Sequence, residues 1–516
     1  MIPMRRLGVV LFVLVIGCAP VDRPLMPHLT RSIIACPHDG GLAWLELTSP
    51  NFVLRTTQQE AMARADVQGL EDLLVGFKAA VELLLPAGPN PSRTSVILFT
   101  DDWQFHSVVP VEAAGQTRVR DERGRPVVLV QSGNTVIPFR HELIHRLMLQ
   151  RIRSAPPWLH EGLAEYLSML SVEKGTAMLG LVTSRQRRLT TSRFDKQGMP
   201  GLLLVDELPS LSELFGDSEQ TLESDEKYYI AAWAAVHYLI NGEHGQLERF
   251  RAFTRDMSRG RDAATALQAN YGQLATLERG YRAHLRELAA ISPDAHELRV
   301  PLAVKSTVVH PNVRWLDDAE VHTLWAFFLP YRADEQLALA QKHDPGSAHT
   351  YLLQGMNDKL HKRTASAIAA FDRAAALAPN DRFVVSTDLY EHLELEADKP
   401  RAERKLSSLA AAVRRLAESA DETPALLIVA SYGALGGDAA FALPFAQRAV
   451  ALDPAAPECE AALAQLYFRT GDFAHAVEAE LAAFQRLPQQ GSSAQQQAEL
   501  ACYRRAATGE AADCAW

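Results

Sequence analysis

The chain has 516 residues, of which 47% are hydrophobic and 22% charged. That composition excludes a disordered chain and suits two or three packed domains. Its formal charge of −10 gives no reason to expect nucleic acid or an anionic surface as a partner.

At the N-terminus, Arg5 and Arg6 precede an apolar run of ten residues, Leu7 to Ile16, too short to cross a bilayer as a helix. Val15-Ile16-Gly17-Cys18 resembles the lipobox of bacterial lipoproteins. The resemblance implies a signal peptide over residues 1–18, lipidation of Cys18 and a membrane-tethered protein of the cell envelope. Ala19 follows where an aspartate would favour the inner membrane, so the outer membrane, facing the periplasm, is expected. Residues 19–38 read as a tether. Beyond Cys18 the cysteines are Cys36, Cys459, Cys502 and Cys514. In an oxidising envelope a Cys502–Cys514 bridge is one of three possible pairings. None of the four shows metal-ligand spacing, so a zinc site built from cysteines is not expected.

Residues 39–295 read as an α+β domain. Leu42 to Arg55, Ser95 to Thr100 and Gly124 to Gln131 have strand character. Gln58 to Leu85 has helical periodicity, with Leu70, Leu73, Leu74, Phe77, Val81 and Leu84 on one face.

The densest chemistry lies in Phe139 to Leu170, FRHELIHRLMLQRIRSAPPWLHEGLAEYLSML. His141 and His145 are one helical turn apart and can close on one metal ion, while Glu142 is placed to reach a water in the open coordination position. A catalytic zinc takes three protein ligands, so a third must come from elsewhere. Pro156 and Pro157 break the first helix, and Trp158 to Leu170 reads as a second one carrying Glu161 and Glu165.

HExxH followed by Trp158-Leu159-His160-Glu161-Gly162-Leu163-Ala164 resembles the gluzincin zinc peptidases, with fifteen residues between His145 and Glu161. The resemblance implies a zincin-like fold and Zn2+ held by His141, His145 and Glu161. It also implies Glu142 as general base and a peptide or protein substrate. Glu165, one turn after Glu161, suits an outer acceptor that orients a ligand histidine. An edge strand beside the active-site helix holds extended peptide in that family, and Val127 to Gln131 is the candidate here.

Further along, the basic run Arg185, Arg187, Arg188, Arg193 and Lys196 reads either as a solvated loop or as a cleft wall. Tyr228 to Ile240, YYIAAWAAVHYLI, resembles the apolar helix that follows the oxyanion-stabilising tyrosine of aminopeptidase-type gluzincins. Matching Ala232-Trp233-Ala234 to the family's Gly-aromatic-Ala gives that role to Tyr229, with Tyr228 the alternative. His237 reads as a core histidine. The aminopeptidases' Gly-Ala-Met-Glu-Asn motif has no equivalent in the sequence, which leaves endopeptidase or specialised processing open.

From about Val313 the texture becomes alanine-rich and helical. Pro345 and Pro379, then Pro454 and Pro488, are each 34 residues apart, the tetratricopeptide period. In register with those prolines stand Ala333/Leu337/Ala340, Ala367/Phe371/Ala374, Ala442/Ala446/Ala449 and Ala476/Glu480/Ala483, with Gly355 and Ala430 at small-residue positions. Residues 312–488 therefore resemble an all-α tetratricopeptide solenoid, interrupted by a longer stretch at Asp381 to Ala420. Residues 489–516 read as a capping helix and tail. The resemblance implies a concave surface for a protein partner.

Together these features predict a lipid-anchored zinc metallopeptidase of the envelope, its repeats binding substrate or partner. Two alternatives stand beside it: a non-catalytic zinc-binding scaffold acting through its repeats, and a hydrolase of another amide, such as one in cell-wall material.

Overall fold

The computed structural model describes residues 36–510, apart from several internal stretches, the longer of them 87–92, 110–114, 119–126, 132–139, 180–207, 217–225, 291–299 and 486–493. Cys18, Cys514 and the basic run 185–196 lie outside the described residues, as do Glu142 and a few other positions around the histidine motif. The architecture is mixed: an N-terminal sheet with its helices, followed by many helices.

Six strands form the main sheet in the order β4-β5-β3-β2-β1-β9: β1 Leu45–Thr48, β2 Phe52–Thr56, β3 Thr94–Phe99, β4 Gly115–Arg118, β5 Val127–Gln131 and β9 Asn312–Trp315. The stretch expected as one strand over 42–55 is a hairpin, pairing Leu45 with Thr56 and Thr48 with Val53. Strands β2, β3 and β5 run parallel, and the outer pairings are antiparallel.

Alternation along the strands divides their side chains between two cores. Phe52, Leu54, Val96, Leu98, Val128 and Val130 join the apolar face of helix Glu60–Leu84. Ile97, Phe99, Val127 and Leu129 face the other way, toward Trp44, Phe105, Trp325 and Phe328. Both faces are thus covered, which is the arrangement a largely apolar parallel core requires. On the second face a charged rung crosses three strands: Arg55 donates to Glu46 at 2.8 Å, and Arg314 of β9 donates to Glu46 at 2.8 Å and to Glu320 at 2.7 Å.

A smaller sheet, β6-β7-β8, joins Ser171–Glu173, Thr176–Leu179 and Val300–Ala303. Gly76 lets helix Glu60–Leu84 lie directly on it, since a Cβ there would come within 2.6 Å of Val172 Cγ2.

Three expectations need correction. Val127–Gln131 is not an edge strand, because β3 and β4 flank it; the edge beside it is Gly115–Arg118. The sheet-bearing unit does not stop at residue 295, because β8 and β9 complete sheets begun far earlier. The tether does not reach residue 38, because Cys36 is fully buried among Trp44, Trp325 and Leu329.

After β9 the helices pair in sequence. Helix Asp318–Phe328 packs on Ala333–His343, Ala348–Leu360 on Thr364–Leu377, Thr423–Leu435 on Ala439–Leu452, and Pro457–Arg469 on Phe473–Gln485. Every residue of the four alanine-anchored sets, Glu480 included, is buried. Gly355 sits where a Cβ would meet the Phe371 ring at 2.5 Å, so its helix pair approaches closely. The longer stretch contains Arg382–Ala397, two short 3-10 turns between 401 and 408, and Ala410–Ser419. Helix Ala494–Ala507 closes the described chain. Cys502 is disulfide-bonded; the expected partner, Cys514, is outside the described residues.

Candidate metal centre

Residues 140, 141, 143–145 and 148 are helical. Leu143, Ile144 and Met148 are buried in the main core, and burying them turns His141 and His145 toward the facing helix. That helix, Pro157–Ser168, starts at the predicted proline and buries Trp158, Leu159, Leu163 and Leu167. Arg140 ties the two together, donating to Leu170 O at 2.8 Å.

The three expected ligands converge. His141 Nε2 lies 3.1 Å from Glu161 Oε2, His145 Nε2 lies 2.9 Å from His141 Nε2, and His145 Nε2 lies 3.5 Å from Glu161 Oε2. Ligands at zinc bond lengths of about 2.0–2.1 Å in tetrahedral array stand roughly 3.3 Å apart. The observed triangle fits one such ion. His145 and Glu161 are buried, 5% and 8% exposed, while His141 is partly open.

The electrostatics favour positive charge at this point. Burial alone would lower the His141 pKa, but Glu161 and Glu165 outweigh it and hold the pKa well above the ordinary imidazole value. Burial would likewise raise Glu161, yet His145 and His141 keep its carboxyl far below the usual range. A proton held this strongly is what a dication would displace. Glu165 Oε1 lies 3.3 Å from His141 Nδ1.

His160, between the motif residues Leu159 and Glu161, has a place the sequence reading missed. Its ring stacks on that of His145 at 5.9 Å, and burial, aided by His145, lowers its pKa to about 4. It is therefore a neutral wall of the site. Its position one residue before Glu161 gave no signal, because its neighbour across the gap belongs to the other helix.

Helix Glu226–Asn241 lies against the Glu161 helix at Gly162, where a Cβ would fall 2.3 Å from Ala232 O and 2.7 Å from Val236 Cγ2. Tyr229, Ala232 and Val236 share one face by their three- and four-residue spacing. Tyr229 thus stands on the contacting face, partly exposed, whereas Tyr228 is 5% exposed within the core. His237 is a core histidine, fully buried, with Nδ1 2.9 Å from His284 Nε2.

Among the described residues no helix is long and apolar enough to cross a membrane. Residues 135–261 match a family described as Protein of unknown function (DUF1570). That span contains both motif helices and the Tyr229 helix. No curated protein matches the chain.

Proposed function

We propose that the chain is a zinc-dependent hydrolase of peptide bonds, anchored through Cys18 to the outer membrane of a bacterial envelope. On this reading its α+β part is a gluzincin-like peptidase domain and its helical part a tetratricopeptide solenoid that binds substrate or partner. The observation carrying the proposal is the triangle of His141, His145 and Glu161, joined to a fourth group, Glu165, behind His141.

His141, His145 and Glu161 would hold the zinc ion, which would supply Lewis acidity and activate water near neutral pH. The chain's own residues do the rest. Glu142, next to His141 in sequence, takes a proton from the attacking water and returns it to the leaving amine. Tyr229 donates a hydrogen bond to the developing oxyanion. Glu165 fixes the His141 ring by accepting its Nδ1–H, and neutral His160 keeps one side of the site free of competing charge.

Against the scaffold reading stands the ligand count. Three protein ligands among the described residues, with an acidic residue beside the first, is the pattern of an open, reactive position, whereas structural zinc sites close with a fourth protein ligand.

Elemental analysis of the purified chain, with Glu161→Ala and Glu142→Ala beside it, tests the proposal. Metal at the centre is expected to persist in Glu142→Ala and to disappear from it in Glu161→Ala. Turnover of peptide libraries is expected in the parent alone. Full activity in Glu142→Ala would sink the assignment, and activity on cell-wall amides in place of peptides would redirect the substrate class.

A further inference from the structure

A second group of ligand-type side chains lies where the N-terminal segment meets the first helical pair. Cys36 precedes the short turn Pro37–Asp39 and is fully buried. His322 comes from helix Asp318–Phe328, and His343 ends helix Ala333–His343. One donor atom each from Cys36, Asp39, His322 and His343 lies within 4.8 Å of the others. Within the group, Cys36 Sγ is 3.4 Å from Asp39 Oδ2, and the two imidazole rings stack at 5.5 Å.

His322 adds an independent observation. It is 2% exposed, and its Nδ1 lies 2.8 Å from Gln336 Oε1. A carbonyl oxygen only accepts, so Nδ1 carries a hydrogen and Nε2 is the ring nitrogen left for another partner. That Nε2 is buried with no hydrogen-bond partner among the described residues, a condition that costs stability unless something fills it. Gln336, itself 2% exposed, holds His322 as outer acceptors hold metal-bound histidines, fixing the tautomer and aiming the other nitrogen.

We propose that Cys36, Asp39, His322 and His343 form a second metal site, structural in kind and taking a divalent cation of the zinc class. A thiolate and two imidazoles select zinc or its neighbours over magnesium or calcium. Four protein ligands leave no open position, so the site does no chemistry. Asp39 and His343 are exposed, which leaves them room to close the last distance onto an ion. Such an ion ties the first described residues to the first two helices after the sheet. The hydrogen bond from His38 N to Asp318 Oδ1, 3.3 Å, crosses the same junction. The site shares no ligand with the His141 centre and stands whether or not that centre is a peptidase.

Cobalt titration of the full chain, purified in detergent, tests it. A near-ultraviolet thiolate-to-cobalt band requires a sulfur ligand, which the His141, His145 and Glu161 set cannot provide. The band is expected in the full chain and in Glu161→Ala. It is expected to vanish in Cys36→Ser, a substitution that keeps the side chain's size. His343→Ala and Asp39→Asn, both at exposed positions, are expected to weaken cobalt binding at the band by tenfold or more. Absence of the band from the full chain overturns the proposal, as does its survival in Cys36→Ser. Should Cys36→Ser fail to fold by circular dichroism, unchanged affinity in both exposed variants overturns it equally.

Discussion

His141 Nδ1 lies 3.3 Å from Glu165 Oε1, on the side of the ring away from the Nε2 that faces Glu161. The carboxylate accepts from Nδ1–H, which fixes the tautomer and makes Nε2 the better donor to a metal. Removing it loosens the ring without removing a ligand. Glu165→Gln is expected to bind zinc at full occupancy when the metal is in excess, with affinity about 10–100-fold weaker. Competition against a chelator of known affinity measures this. Unchanged affinity would mean that Glu165 is only a neighbour.

Gly162 carries the contact between the Glu161 helix and the Tyr229 helix. A methyl group there meets backbone, Ala232 O at 2.3 Å, which cannot rotate away. Gly162→Ala must separate the helices and carry Glu161 and Tyr229 apart. Overpacking of this kind costs about 1–3 kcal/mol, so thermal melting should move down by several degrees. On the proposed function, peptide turnover should fall further than the stability loss explains, because the preceding residue, Glu161, is a proposed metal ligand. A variant with parental melting and turnover would show that the helices have slack.

The parts of this molecule legible in the sequence are those whose spacing is local. His141 and His145 share a helical turn, so a helical period was enough to put them on one face, whereas Glu161 was reached through the resemblance of Trp158 to Ala164 to the gluzincin motif. The 34-residue spacing of Pro345 and Pro379 is likewise readable from the chain, and the alanines in register with it are buried. The edge of the main sheet was not legible. Gly115–Arg118 reads GQTR, with no apolar alternation, so the more hydrophobic Val127–Gln131 stood out in its place. The end of the sheet-bearing unit was hidden for a related reason: Asn312–Trp315 is a half-exposed strand, and only its pairing with β1 shows where it belongs. The Cys36 cluster was invisible for a third reason, since its donors come from three separate elements and no interval in the chain encodes their meeting.

Glu480 stands where Leu337, Phe371 and Ala446 stand in the other three units. It is fully buried, and neither carboxyl oxygen has a hydrogen-bond partner among the described residues. Burial, with the nearby Glu499 carboxylate adding to it, raises its pKa to about 8. The folded protein therefore holds a proton on Glu480 that the unfolded chain, with its glutamate at the ordinary value of 4.5, has released by neutral pH. For a carboxyl raised in this way, the unfolded state binds fewer protons between those two values. Stability consequently falls as pH rises through that interval. Its contribution is fully present below pH 4.5 and lost as pH passes about 8. Raising a pKa by one unit corresponds to about 1.36 kcal/mol, so the loss is on the order of several kcal/mol. Glu480→Gln, neutral at every pH, should remove this component and melt higher than the parent at pH 8, with the gap closing toward pH 5. Chemical denaturation followed by circular dichroism across that range measures it. Parallel pH profiles for the two proteins would mean that Glu480 reaches water or a cation in solution, and that the helical half is not closed around it.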